Sequence, residues 1–206
     1  MRVRVRFSAP LLAAIAAALV ASPQTARADF IRLVTSLSGP NESPPNTSPG
    51  TGFAEVDLDT LNQTMRVQVT FSGLTTGTTA SHIHAATASP GTGTAMVATT
   101  VPTFPNFPSG VTSGMYDQTF DMTLDSSYNP AFEAAHGGTA ASAEAALFAA
   151  LETDRAYLNI HTQMFPGGEV RGFLVPAVPE PASLTLLGLG ALGLLGYRWR
   201  RRQQAV

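Results

Sequence analysis

The 206-residue sequence contains no cysteine and no lysine. Without cysteine, no disulfide can brace the fold, and thiolate metal sites and cysteine nucleophiles are excluded. Charged residues make up only 13% of the chain, and all 12 basic residues are arginine. Eight of those sit at the two ends: Arg2, Arg4, Arg6, Arg27, Arg198, Arg200, Arg201 and Arg202. Between positions 29 and 178, four arginines stand against thirteen acidic residues, a net charge of −9. The clustered basic side chains that a nucleic-acid partner needs are therefore missing from the middle. Gly-x-Ser-x-Gly, P-loop and Rossmann fingerprints are absent too.

What is present is 18 glycines, 15 prolines and abundant threonine and serine, a composition of short strands and turns. The N-terminal end reads as an export signal over residues 1–28. Arg2, Arg4 and Arg6 precede an apolar run from Leu11 to Ala21, and Ala26-Arg27-Ala28 supplies the small residues of a signal-peptidase site, with cleavage before Asp29. The C-terminal end, 177–206, has three parts in order. Pro179-Glu180-Pro181 lies in a motif at 178–181, an apolar run at 182–197 is expected to span a membrane, and a basic end follows at 198–202. The positive-inside rule keeps that end cytoplasmic and puts residues 29–176 outside. The tail resembles the PEP-CTERM signal of Gram-negative bacteria. That resemblance implies cutting by an exosortase and delivery to the cell surface or matrix, after transient anchoring in the inner membrane.

Residues 29–176 read as one β domain. Ala54, Val56 and Leu58 alternate with acidic residues, and Met65, Val67, Val69 and Phe71 alternate with polar ones. That is two half-buried antiparallel strands. Strands are also expected at 30–37, 80–85, 95–101, 116–124 and 157–162, with a closing hairpin strand at 169–175. Asn129-Pro130 opens the one helical part, Gly137-Gly138 breaks it, and 140–151 reads as a short amphipathic helix. The expected fold is all-β. It is an antiparallel sandwich or barrel, immunoglobulin-like or of the superoxide-dismutase Greek-key kind, with one short helical insertion.

Two stretches carry the functional expectation: Ala80-Ser-His-Ile-His-Ala85 and Ala156-Tyr-Leu-Asn-Ile-His-Thr162. Strand side chains alternate, so His82 and His84 share one face and Ile83 the other; Tyr157, Asn159 and His161 share a face opposite Leu158 and Ile160. If the strands are neighbours with the aliphatics inward, three imidazoles converge. Such a set suits a divalent transition metal, copper or zinc, with a coordination position left open. The alternative is that these rings hydrogen-bond loop backbone and one another. Three weaker groupings read as structural. Glu133 and His136 stand one helical turn apart, Asp57, Asp59 and Asn62 lie at a turn without the glycine or terminal glutamate of a calcium loop, and Glu169 and Arg171 stand on one strand face within reach of pairing.

Leu37-Ser-Gly-Pro-Asn-Glu-Ser-Pro-Pro45, Gly73-Leu74, His82-Ile-His84 and Tyr157-Leu-Asn-Ile-His-Thr162 with Pro166-Gly-Gly-Glu-Val-Arg-Gly172 together resemble the CHRD domain, named after chordin. The resemblance runs from about residue 30 to 175 and implies a fold and a location more than a reaction. The His-x-His strand is also similar to that of copper–zinc superoxide dismutase, but its long loop of further ligands has no counterpart here. Three readings follow. The first is a non-catalytic surface or biofilm-matrix module, with exopolysaccharide or surface proteins as partners beside the processing signal peptidase and exosortase. The second is a metal-binding domain, and the third a metal-dependent redox enzyme.

Overall fold

The computed structural model describes residues 30–177. The expected export segment, with Ala26, Ala28 and Asp29, and the expected tail, with Pro179, Glu180 and Pro181, lie outside the described residues. Among the described residues, no helix is long and apolar enough to cross a membrane.

The strands are β1 (Phe30–Ser38), β2 (Thr51–Asp59), β3 (Thr64–Ser72), β4 (Thr78–His84), β5 (Gly114–Asp121), β6 (Tyr157–Thr162), β7 (Val170–Phe173) and β8 (Val175–Pro176). All eight join one sheet in the order β4-β6-β7-β1-β2-β3-β5, with β8 pairing β1 beside that path. Every pairing is antiparallel. The all-β antiparallel expectation is borne out, as one continuous sheet curled into a half-barrel.

The curl follows from chain length. From β3 to β4 is five strand intervals along the sheet, about 24 Å if flat. The linker 73–77 gives six Cα steps, about 20 Å fully stretched. The sheet must therefore bend to bring its edges toward each other. The loop before β5 bridges the remaining gap: Thr78 N–H donates to Val111 O and Gly110 N–H to Thr78 O, both at 2.9 Å.

Alternation fills the inside of the curl. Leu33 and Leu37 from β1, Ala54, Val56 and Leu58 from β2, Met65, Val67 and Val69 from β3, Ile83 from β4 and Leu158 and Ile160 from β6 are all buried in one core. Phe104 and Phe107, from the proline-rich loop, close it against Tyr116 and Phe120. The helical part forms as expected. Asn129 caps α1 (Pro130–Ala135) by accepting from Ala131 N–H at 3.0 Å. Gly137 and Gly138 then take positive φ, and α2 (Ala140–Glu152) starts from a Thr139/Ser142 capping box. Ala143, Leu147, Phe148 and Leu151 form its buried stripe.

The expected strand at 95–101 does not form. It leaves two isolated bridges, His84 with Val97 and Thr99 with Tyr128. The backbone of this stretch is shared between the β4 end and the segment at 127–129, which takes Val97 O, Ala98 O and Thr100 N–H. Met96 O accepts from Ala85 N–H, Ala98 N–H donates to Ile83 O, and Thr99 Oγ1 accepts from Ile83 N–H. β5 also ends early, at Asp121, whose carboxylate turns back onto Thr123 N–H and Oγ1.

Candidate metal centre

The strands β4 and β6 are hydrogen-bonded neighbours with Ala80 opposite His161, His82 opposite Asn159 and His84 opposite Tyr157. Ile83, Leu158 and Ile160 point inward with no exposed surface. The three imidazoles therefore meet on the opposite side of the sheet. Ring centroids are 5.3 Å apart for His82–His161, 6.0 Å for His82–His84 and 6.3 Å for His84–His161. Each histidine offers one ring nitrogen, and the three nitrogens lie within 4.8 Å of one another.

This face is not open to solvent. Loops cover it, leaving His82 and His84 6% and 9% exposed and His161 half-buried. Each covering loop supplies a carbonyl to one ring: Pro102 O to His82 Nε2 at 2.6 Å, Ala95 O to His84 Nδ1 at 2.9 Å, and Pro166 O to His161 Nδ1 at 2.9 Å. A carbonyl only accepts, so each bonded nitrogen carries the hydrogen. The other nitrogen of each ring (His82 Nδ1, His84 Nε2 and His161 Nε2) is then a bare lone pair. All three are buried and meet no protein donor. Backbone carbonyls that fix tautomer and ring plane are the usual outer shell of metal-ligating histidines. Burial holds the imidazolium form down as well, to about 4 for His82 and below the ordinary value for His84 and His161. At neutral pH the three rings are uncharged.

The surrounding shell comes from the same faces. Tyr157 stacks on His84 with centroids 4.7 Å apart and planes at 8°, and the Arg171 guanidinium lies 4.7 Å from the Tyr157 ring centroid. Strand order β4-β6-β7 places Tyr157 between the two, as a three-layer stack. Asn159 Oδ1 is buried without a donor, as is Glu42 Oε1. Glu42 Oε2 is 3.7 Å from Arg171 Nε, and burial pushes this carboxyl up to about 7. Gly168, at φ +130°, lets these side chains close over the turn: a Cβ there would stand 2.5 Å from Glu42 Oε1 and 2.8 Å from Asn159 Nδ2.

A sequence profile of the CHRD domain matches residues 33–174. The chain belongs to the CHRD domain family. A second profile, the PEP-CTERM protein-sorting motif, matches residues 177–202. That motif implies processing by an exosortase and export to the cell surface in a Gram-negative bacterium. No curated protein and no solved structure matches the chain significantly. The residues that gather at the centre lie inside the CHRD match.

The weaker groupings take structural roles. Asp57 bonds Arg32 through both oxygens, and Asp59 receives the N–H groups of Leu61 and Asn62 as a turn cap. His136 lies against Phe132, with Nδ1 donating to Phe132 O. Glu169 and Arg171 do not pair. The Glu169 carboxylate accepts from Ser48 Oγ, Thr75 N–H and Thr162 Oγ1, tying two loops to the closing hairpin. Arg171 reaches the other way, to Asn41 O and Gly93 O. β7 begins only at Val170, so Glu169 is not held to the strand alternation that placed the two together.

Sequence reasoning missed the Glu42–Arg171 contact and the three orienting carbonyls. Arg171 shares a face with Asn159 once the β6–β7 register is known, Asn159 opposite Arg171. Glu42 lies in a proline-rich loop with no periodic signal.

Proposed function

We propose that this CHRD domain is an exported, exosortase-processed surface domain that binds a transition-metal ion, copper or zinc, through His82, His84 and His161. The observation that carries the reading is three histidines whose ring nitrogens gather within 4.8 Å, each with one buried nitrogen that meets no donor. Each leftover lone pair is fixed by a carbonyl on its opposite nitrogen. A buried acceptor without a donor costs about 1–3 kcal/mol, and none of the three has a hydrogen-bond partner. A single cation would satisfy all of them. Bonds of about 2.0–2.1 Å would hold the nitrogens about 3.4 Å apart, so binding draws the rings slightly inward.

The role is one of binding rather than turnover. The loop cover over His82 and His84 shields the ion from substrates and supports this. The test is metal analysis of the full-length chain purified in detergent. About one equivalent of copper or zinc is expected, lost in a His82→Ala, His161→Ala variant that keeps its β circular dichroism. Absence of uptake by the folded chain would end the reading.

A second reading, a module that contacts exopolysaccharide or other surface proteins, draws on a different place. Phe53 and Met115 are 45% and 78% exposed, and line a groove of about 350 Å³ with Glu55, Gln68 and Asp117 on β2, β3 and β5. Phe53→Ser with Met115→Ser should then weaken retention of the exported protein on cells without changing metal content.

A further inference from the structure

We propose that the ion this centre is built to hold is copper in its +1 state rather than zinc, and that the Arg171 guanidinium enforces the choice. The inference rests on the three-histidine reading and goes on to name the ion.

The argument is one of charge. All three rings are neutral, because the carbonyls of Pro102, Ala95 and Pro166 fix one hydrogen on each. Asn159 Oδ1, the other donorless oxygen on this face of β6, is neutral too. No thiolate is available anywhere in the chain, and no carboxylate is among the converging atoms, so the three imidazoles bring no negative charge to the ion. An ion bound here keeps its full charge in a buried place. The cost of burying charge rises with its square, so a doubly charged ion is penalised about fourfold relative to a singly charged one. Imidazole nitrogens suit copper as well as zinc, and monovalent copper, with its filled d shell, accepts three ligands without requiring a fourth.

Arg171 sharpens the discrimination. It is 5% exposed and stacked on the far side of the ring that covers His84. Its donors go to the carbonyls of Asn41 and Gly93, which leave its charge in place. Glu42 Oε2 forms an ion pair with it at 3.7 Å, beyond hydrogen-bond length. A fixed positive charge repels a second cation in proportion to that cation's charge. It therefore acts on zinc(II) twice as strongly, in free energy, as on copper(I).

The experiment is a pair of chelator competitions on the full-length chain in detergent, anaerobic for copper(I) and parallel for zinc(II). The wild-type chain is expected to hold copper(I) more tightly. In Arg171→Gln, zinc(II) binding should strengthen about tenfold and copper(I) about threefold, the square-root relation that charge proportionality demands. Arg171→Lys, which keeps the charge, should leave the ratio near wild type. Tighter zinc(II) than copper(I) in the wild-type chain overturns the inference, as does an Arg171→Gln ratio that does not move. If Arg171→Gln fails to fold, the wild-type competition alone still decides the preference. Zinc uptake without copper(I) uptake would defeat this inference and leave the three-histidine centre standing; uptake of neither defeats both.

Discussion

His84 and Tyr157 are register partners across β4 and β6, and their rings stack 4.7 Å apart and nearly parallel. The stack fixes the plane of the His84 ring while Ala95 O fixes its hydrogen, so Nε2 is aimed with no freedom left over. Outer contacts of this kind change metal affinity by about 10–100-fold. Tyr157→Leu should therefore weaken metal binding about tenfold, whereas Tyr157→Phe, which keeps the stacked ring, should stay within about threefold. Equilibrium competition with a coloured chelator measures both.

Metal should also stabilise the fold. An ion at about a hundredfold excess over its Kd adds about 2.7 kcal/mol if the unfolded chain does not bind it. For a domain of this size that raises Tm by about 5–10 °C. The rise should appear in a thermal melt of the wild-type chain and vanish in His161→Gln.

Without metal, stability should fall on acidification. Folded His82 protonates near 4 against 6.5 for a free ring, and His84 and His161 are lowered too. Between those values the unfolded chain binds more protons than the folded one. The contribution is complete above about 6.5 and is lost as pH drops toward 4. Glu42 runs the opposite way: its carboxyl titrates near 7 when folded and 4.5 when free, so its contribution declines as pH rises through that window. Urea titrations of the metal-free chain between pH 7 and 4 should show the histidine slope in excess. His82→Gln should reduce it by on the order of 2 kcal/mol, and Glu42→Gln should steepen it.

Glu169 has no exposed surface, and its carboxylate accepts three hydrogen bonds from three separate segments. Those bonds hold its pKa down against the opposing effect of burial. Glu169→Ala strands the Thr75 N–H and two hydroxyls, and should cost about 3 kcal/mol or more in a denaturant titration. Metal affinity should change little, because none of the three ring-orienting carbonyls belongs to these partners.

The two-residue period of a strand already assigned Ile83, Leu158 and Ile160 to the interior and the three histidines to the other side. Alternation at β2 and β3, the Asn129-Pro130 start and the Gly137-Gly138 break were equally local, and so were readable from neighbouring residues alone. The expectation at 95–101 failed because β-branched composition states a preference for extended backbone, not which partner will take its hydrogen bonds. Here the end of β4, His84 and the segment at 127–129 took them.

The sequence by itself determined which side of each strand the imidazoles occupy, because that depends only on residues two apart. Tertiary structure decided that β4 and β6 lie side by side across more than seventy residues, that one curled sheet stands in place of two, and that loops close over the rings. It also decided which nitrogen of each ring is left bare. A carbonyl oxygen is the same at every residue, so no side-chain pattern announces the one that will meet a histidine; only the path of the folded backbone does.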